Sequence, residues 1–303
     1  MKNCVIFFDC HGREINKYLF MNKNFIKDFN IKFITLNDYV NQNKKFFDNT
    51  KLDDKHIMLI ENADILILQV IEKDRGFLNN SEVIKFCNSD CKVIKIPHYR
   101  NSIYEYKCIE NKINKYDLLG WRRNGENSWN LPKKIKDLNN INETKKNIQN
   151  EIDIMNNFKY DEDEMFKSMN YKINEFEKID SLSDIKMLDY FNNNFKKYRL
   201  FQGRRYPSSI FFFELTNRIL HTLQYERNIT FKDEYFAQNT GEPIPDYWYN
   251  FCKFSFDNTY YTFGNLPITE CEWYYILLLS NNINIVTKEE NLKYLKIIRQ
   301  SAF

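Results

Sequence analysis

The segment Asp64-Ile65-Leu66-Ile67-Leu68-Gln69-Val70 sets the tightest limit on the fold. It is nearly continuously apolar, so a strand built from it needs cover on both faces, the situation of a parallel sheet between helical layers. The flanking segments supply partners. Val5–Phe8 reads as a strand, Lys32–Leu36 as a second, alternating one, and Val93–Ile96 as a further strand stopped by Pro97. Between them, Glu14–Phe29 and Leu52–Glu61 have helical spacing, and Ser81 is a good N-cap for a helix running to Phe86. Strands that alternate with helices imply parallel pairing through right-handed crossovers, so the predicted class is α/β.

The rest of the chain reads as additions to that core. Residues 108–142 hold Gly120, Gly125, Pro132, Trp121 and Trp129 and read as a long surface excursion. Residues 143–198 are charged and helical, with apolar Ile148, Ile152 and Met155, then Met165, Met169, Ile173 and Phe176. Ser181 with Asp184 has the pattern of a capping box that opens another helix, and an apolar helix runs from Ser208 to about Leu223. Residues 231–265 read as loop or short strands, and Thr269 and Thr287 as helix caps, the second with Glu290. The expected organisation is one domain: an α/β core over 1–107, an irregular excursion and helical insertion over 108–198, and a helical and loop part over 199–303 that completes it.

At 303 residues, 43% hydrophobic and 17% aromatic, the chain has material for a sizeable core. A net charge of only +3 argues against a protein that coats nucleic acid, and the longest apolar runs are too short to span a bilayer. Seven cysteines, an odd number, with no secretory leader pattern, fit free thiols in a reducing, cytoplasmic setting. Cys87 and Cys91 lack a second Cys/His pair at zinc-finger spacing and read as buried small residues flanking a helix end, so no metal site is expected.

Candidate chemistry gathers where strands end. Val5–Phe8 runs into Asp9-Cys10-His11-Gly12, an acid, a thiol and an imidazole at the start of a helix. A thiol there meets unpaired N–H groups and the positive end of the helix dipole, which favour thiolate and can hold an oxyanion or phosphate. The same tetrad also reads as a buried Cys in a tight turn capped by Asp9. Gln69 closes its strand at the same sheet edge, either to donate to a carbonyl oxygen or to tie down a neighbouring loop. Arg75 follows on a loop, and His98 follows the Val93–Ile96 strand as a general base, a ligand contact or an ordinary loop histidine. Arg204-Arg205-Tyr206-Pro207-Ser208 places two guanidiniums before a helix start, which suits a phosphate or a solvated basic turn. The glycine fingerprints of dinucleotide and P-loop sites, the G-x-S-x-G elbow and H-E-x-x-H are missing from the sequence, which disfavours those classes.

In this order the signals resemble the WcbI-like family of polysaccharide-biosynthesis acetyltransferases, which is related in fold to the SGNH (GDSL-type) hydrolases. The resemblance rests on Phe8-Asp9-Cys10-His11-Gly12, where the family has Gly-Asn-Cys-Gln-Gly, and on Ala63-Asp64 leading to Gln69. It also rests on Ile96-Pro97-His98-Tyr99 and on Tyr206-Pro207, where the family has His-Pro. It covers about the first 105 residues well and roughly 195–225 loosely. It implies an SGNH/flavodoxin-like three-layer core with a parallel sheet and an added helical layer. It also implies acetyl-CoA as cosubstrate and acetyl transfer to a sugar, as a nucleotide-sugar or glycan acceptor. Coenzyme A would meet Gly12, Arg75, Arg204, Arg205, Tyr206 and Ser208. His11, or else His98, would act as base beside Cys10 and Asp9, and Gln69 would hold the thioester oxygen. The tyrosine at 206 departs from the late histidine that activates the nucleophile in SGNH-type enzymes, which tilts the reading toward N-acetylation of an amino sugar by direct transfer. The alternatives are an SGNH-like esterase or deacetylase with a Cys nucleophile, and a non-catalytic glycan- or nucleotide-binding domain.

Overall fold

Four strands form one all-parallel sheet: β1 (Lys2–Phe8), β2 (Phe29–Thr35), β3 (Ile65–Val70) and β4 (Lys92–Pro97), in the spatial order β2-β1-β3-β4. This computed structural model describes residues 1–39, 51–71, 76–104, 122–124, 128–130, 141–157, 161–202, 206–229, 231, 244, 246–258, 261–263, 266–269 and 271–272. The chain divides into two compact units, each assembled from three segments. The first comprises Met1–Arg100, Glu175–Asn193 and Tyr206–Asp233, and the second Asn101–Asn174, Asn194–Arg205 and Glu234–Phe303.

The sheet belongs to the first unit, and its α/β, three-layer character is as expected from the apolar strands. Cys4–Phe8 and Ile65–Leu68 are buried throughout, since helices cover both faces. Val5, Phe7, Leu66 and Leu68 point into one cluster with Ile60 of helix α3 (Asp54–Glu61) and Val83 of helix α4 (Asn80–Ile84). Cys4, Ile6 and Phe8 alternate to the opposite face, where α1 (Gly12–Met21) buries Ile15, Tyr18 and Leu19. Each such apolar side chain contributes about 1.5–3 kcal/mol of burial. The expected single helix over 14–29 is two. Asn22 takes an extended conformation, ends α1, and accepts from Phe25 N–H to cap α2 (Lys23–Asp28), while its amide donates to Glu226 O. The α4 N-cap is Asn79 rather than Ser81, and the helix stops at Ile84.

The segment 175–193 closes the β4 edge. Asp184 exchanges two hydrogen bonds with the Lys95 backbone, N–H to O at 2.8 Å and carboxylate to N–H at 2.7 Å, so the outer strand presents fewer unpaired groups. Ser181 therefore ends helix α6 (Glu162–Ser181) instead of opening one, its hydroxyl donating to Lys178 O. The cap of α7 (Leu188–Asn194) is Asp180, whose buried carboxylate accepts from Met187 N–H, Leu188 N–H and Tyr99 O–H. Helix α8 (Ser209–Thr222) starts after Ser208, where the sequence placed it, and packs on α1.

In the second unit, α5 (Ile141–Asn157) and most of α6 carry the helical spacing read over 143–198. Two antiparallel pairs, β5 (Arg122–Asn124) with β6 (Ser128–Asn130) and β7 (Tyr261–Phe263) with β8 (Leu266–Ile268), accompany them. Helix α9 (Asp246–Cys252), inside the region read as loop, is anchored by fully buried Trp248, whose indole donates to Ile103 O. Thr269 and Glu272 form a reciprocal capping box. Thr287, most of 108–142 and Cys108 fall outside the described residues. Among the described residues no helix is long and apolar enough to cross a membrane.

Candidate active site

The sheet order reverses direction between β1 and β3, and in open α/β sheets the ligand crevice lies outside the carboxyl ends of the strands at such a switch point. Asp9 follows β1, Gln69 ends β3 and His98 follows β4, so the topology delivers all three to one edge. The register explains the pairing: Phe7 lies opposite Leu68, which puts the Gln69 side chain beside Asp9. Gln69 Oε1 accepts from Asp9 N–H at 2.8 Å, and its Nε2 lies 3.4 Å from Asp9 Oδ2. Asn80 secures the strand end in turn, donating to Gln69 O at 2.7 Å and accepting from Ile71 N–H at 3.0 Å. Sequence reading missed Asn80, because a polar residue at a helix start reads as a cap before it reads as a clamp.

Asp9 organises the turn. Its Oδ1 accepts from His11 N–H at 2.9 Å, and its main-chain carbonyl accepts from Gly12 N–H at 3.0 Å. The carboxylate is 17% exposed and faces two imidazoles, with His98 Nε2 3.6 Å from Oδ2 and His11 Nδ1 4.0 Å from Oδ1. The two rings meet edge to face with centroids 4.3 Å apart, and Tyr206 and Phe212 close around His11 at 5.3 and 5.5 Å. His11 is 3% exposed and its Nε2 has no hydrogen-bond partner among the described residues. Burial drives its pKa down to about 4; the Asp9 charge works against the fall and His98 adds to it. His98, at 30%, is the imidazole that solvent reaches.

Cys10 does not follow the expectation of a thiolate favoured by the helix start. Its pKa is raised, chiefly by burial and then by the negative charge of Asp9. The hydroxyl of Tyr206 and the backbone N–H groups of Cys10 and His11 pull the other way but do not outweigh these two. The carboxylate that builds the turn thus opposes the ionisation that the helix end would favour. Tyr206, read as the positional counterpart of a family histidine, does reach the cysteine.

Gly12 sits where a Cβ would stand 2.6 Å from Phe8 Cβ and 2.5 Å from Phe33 Cε2, so close packing of α1 on the sheet accounts for the glycine. Ser208 and Ser209 lie at the N-terminus of α8, both buried, with hydroxyls that have no hydrogen-bond partner among the described residues. Arg75, Arg204 and Arg205 lie outside the described residues. The structure therefore brings together Asp9, Cys10, His11, Gln69, His98 and Tyr206. It adds Asn80 and Phe212, and also Tyr99, whose buried hydroxyl on Asp180 anchors the chain next to His98.

No protein-family model matches the sequence, and no curated protein matches it. A solved structure of WcbI, described as a novel polysaccharide biosynthesis enzyme, is similar in fold. The TM-score is 0.61, over 99% of this chain and 96% of that one, at 13% sequence identity. That structure is the native protein without a disulfide bond between coenzyme A and one of its cysteines. The likeness gives the chain a WcbI-like fold.

Proposed function

We propose that this protein is an acyl-CoA-dependent acyltransferase that acetylates a sugar, with an amino sugar favoured over a hydroxyl acceptor and a nucleotide-sugar or glycan as its carrier. One observation carries the reading. A carboxylate and two imidazoles converge at the carboxyl edge of the sheet, beside a protonated thiol, in a fold that follows that of a polysaccharide biosynthesis enzyme along nearly its whole length. The orphaned hydroxyls of Ser208 and Ser209 at the start of a 14-residue helix fit an anionic group such as a phosphate of coenzyme A. Ser208, Ser209 and Tyr206 would hold it. Bound acetyl-CoA supplies an acyl group already activated as a thioester.

The chain's own residues then have one main task, to take a proton from the acceptor. His98 is exposed enough to meet the acceptor, and the Asp9 carboxylate 3.6 Å away favours the imidazolium that results. The proton is then available to the departing coenzyme A sulfur. Gln69 is a positioning residue here, since its amide is turned to Asp9 rather than left for the thioester oxygen. Cys10, with its pKa raised and no histidine base at 206, stays a thiol, which supports direct transfer over an acyl-enzyme.

The test begins with thermal melts in coenzyme A and acetyl-CoA, where a saturable rise in melting temperature is expected by mass action. It continues with thiol release from acetyl-CoA in the presence of amino sugars. His98→Ala is expected to lower kcat by about 10²–10⁴-fold, the usual range for a general base, with little change in KM for acetyl-CoA. No melting shift at millimolar ligand overturns the reading. Acetate release from an acetylated sugar without coenzyme A points instead to the esterase.

A further inference from the structure

The three side chains of the candidate site are spaced in a way that acid–base pairing leaves unexplained. Asp9 lies 3.6 Å from His98 Nε2 and 4.0 Å from His11 Nδ1, both beyond ordinary hydrogen-bond length. One ligand-type atom from each of Asp9, His11 and His98 falls within 4.8 Å of the other two. Bonds of about 2.0–2.2 Å to a tetrahedral cation put neighbouring ligand atoms about 3.3–3.6 Å apart, so closing each gap by no more than about 1.5 Å completes the set. We propose that Asp9, His11 and His98 form a divalent transition-metal site of the two-histidine, one-carboxylate type, with zinc the best-suited ion.

Three features of the surroundings support it. His11 is almost fully buried, and its Nδ1, 4.0 Å from the Asp9 carboxylate, is too far for a hydrogen bond that an ion would have to displace. The His11 and His98 rings meet with centroids 4.3 Å apart, so both are within reach of one ion beside Asp9. The carboxylate is oriented from behind by Gln69 and by His11 N–H, as metal-binding carboxylates are. Three protein ligands leave a fourth position for water or for substrate, the pattern of a catalytic rather than a structural site. Binding itself does not depend on the acyl-transfer reading; only the use made of the metal rests on it. A cation at this edge would lower the pKa of a coordinated acceptor group, whose proton would then pass to solvent while His98 serves as ligand.

The experiment is a titration of the full-length, chelator-treated protein with zinc by calorimetry and with cobalt(II) by visible absorption, without coenzyme A. One equivalent is expected to bind, with ligand-field bands that indicate nitrogen and oxygen ligands at low coordination number. His98→Ala and Asp9→Ala are each expected to weaken binding at least 100-fold. Gln69→Ala is expected to weaken it about 10–100-fold, as loss of a carboxylate's supporting partner does. His221→Ala, at the far end of α8, is the control and should bind as the parent does. His98→Ala keeps the test sound should Asp9→Ala fail to fold. Absence of saturable binding, or binding that survives His98→Ala, overturns the proposal. Failure of the melting shift with coenzyme A overturns the transferase reading and leaves the metal titration unaffected.

Discussion

Gly12→Ala probes how tightly the Asp9–Gly12 turn is set against the sheet. The added methyl would stand 2.6 Å from Phe8 Cβ, 2.5 Å from Phe33 Cε2 and 3.3 Å from Phe33 Cζ. Carbon atoms in ordinary contact lie about 3.5–4.0 Å apart, so roughly 1 Å of room must be found. The Phe33 ring is half-buried and can swing aside. Phe8 Cβ cannot, because β1 is hydrogen-bonded on both sides, to β2 and to β3. The strain must then be released by lifting the start of α1, which carries the Asp9–His11 turn with it. Overpacking of this kind costs about 1–3 kcal/mol, and replacing glycine by alanine in a helix returns at most about 1 kcal/mol. We expect a net loss of about 2 kcal/mol, or roughly 4–8 °C in melting temperature at the usual scaling. The assay is thermal and urea unfolding of the parent, Gly12→Ala, Phe33→Ala and the double variant. The double variant should recover only part of the loss, since the Phe8 contact remains. A melting point equal to the parent's, or full recovery on removing Phe33, would refute the account of a rigid wall at Phe8.

Three further outcomes follow from the described contacts. Tyr99→Phe removes the hydroxyl that donates at 2.7 Å to buried Asp180 and should cost about 1.5–3 kcal/mol, the range for bonds to charged groups. Burial and Asp180 push Tyr99 ionisation far up, so its contribution is complete below the unfolded pKa of about 10 and fades above it. The urea-midpoint gap between parent and variant should therefore shrink between pH 8 and pH 11, and a constant gap would contradict this. Tyr206→Phe removes a bond that lowers the Cys10 pKa, so alkylation of Cys10 by iodoacetamide at pH 8 should slow several-fold, whereas faster alkylation would exclude that bond. Arg218→Lys breaks the fork on Asp189 and the bond to Glu214 Oε1 at 2.7 Å. Arg218 holds the Asp189 carboxyl below its ordinary range, so the stability difference should be present at neutral pH and fade as pH falls through that lowered value, which acid titrations of both proteins would reveal.

The parallel core was legible because Ile65–Leu68 has no polar face, and no arrangement other than double cover suits such a strand. The site edge was legible for the same reason, since strands of known direction fix which ends carry Asp9, Gln69 and His98. What escaped was decided by tertiary neighbours. Asn22 splits a helix that the periodicity runs through, since its side chain can satisfy Phe25 N–H locally while also reaching Glu226 O. Asp184 sits in a capping-box pattern but meets the backbone of β4, a partner 89 residues away that local spacing cannot reveal. Helix α9 is short and aromatic, and its apolar residues report burial around Trp248 rather than helical period.

The same limit governs the chemistry of the turn. A cysteine at a helix start reads as an incipient thiolate only while its neighbours are ignored. Asp9 is needed to hold the turn, through His11 N–H, and its charge acts on Cys10 and on the imidazoles together. A negative charge disfavours a second anion on sulfur and favours a cation on nitrogen. Here the carboxylate disfavours ionisation of Cys10 and lies 3.6 and 4.0 Å from the two imidazoles. A positive species beside Asp9, a proton on His98 or the proposed metal shared with His11, suits this charge distribution. Cys10, hydrogen-bonded to the Tyr206 hydroxyl and facing the Asp9 charge, has its ionisation suppressed.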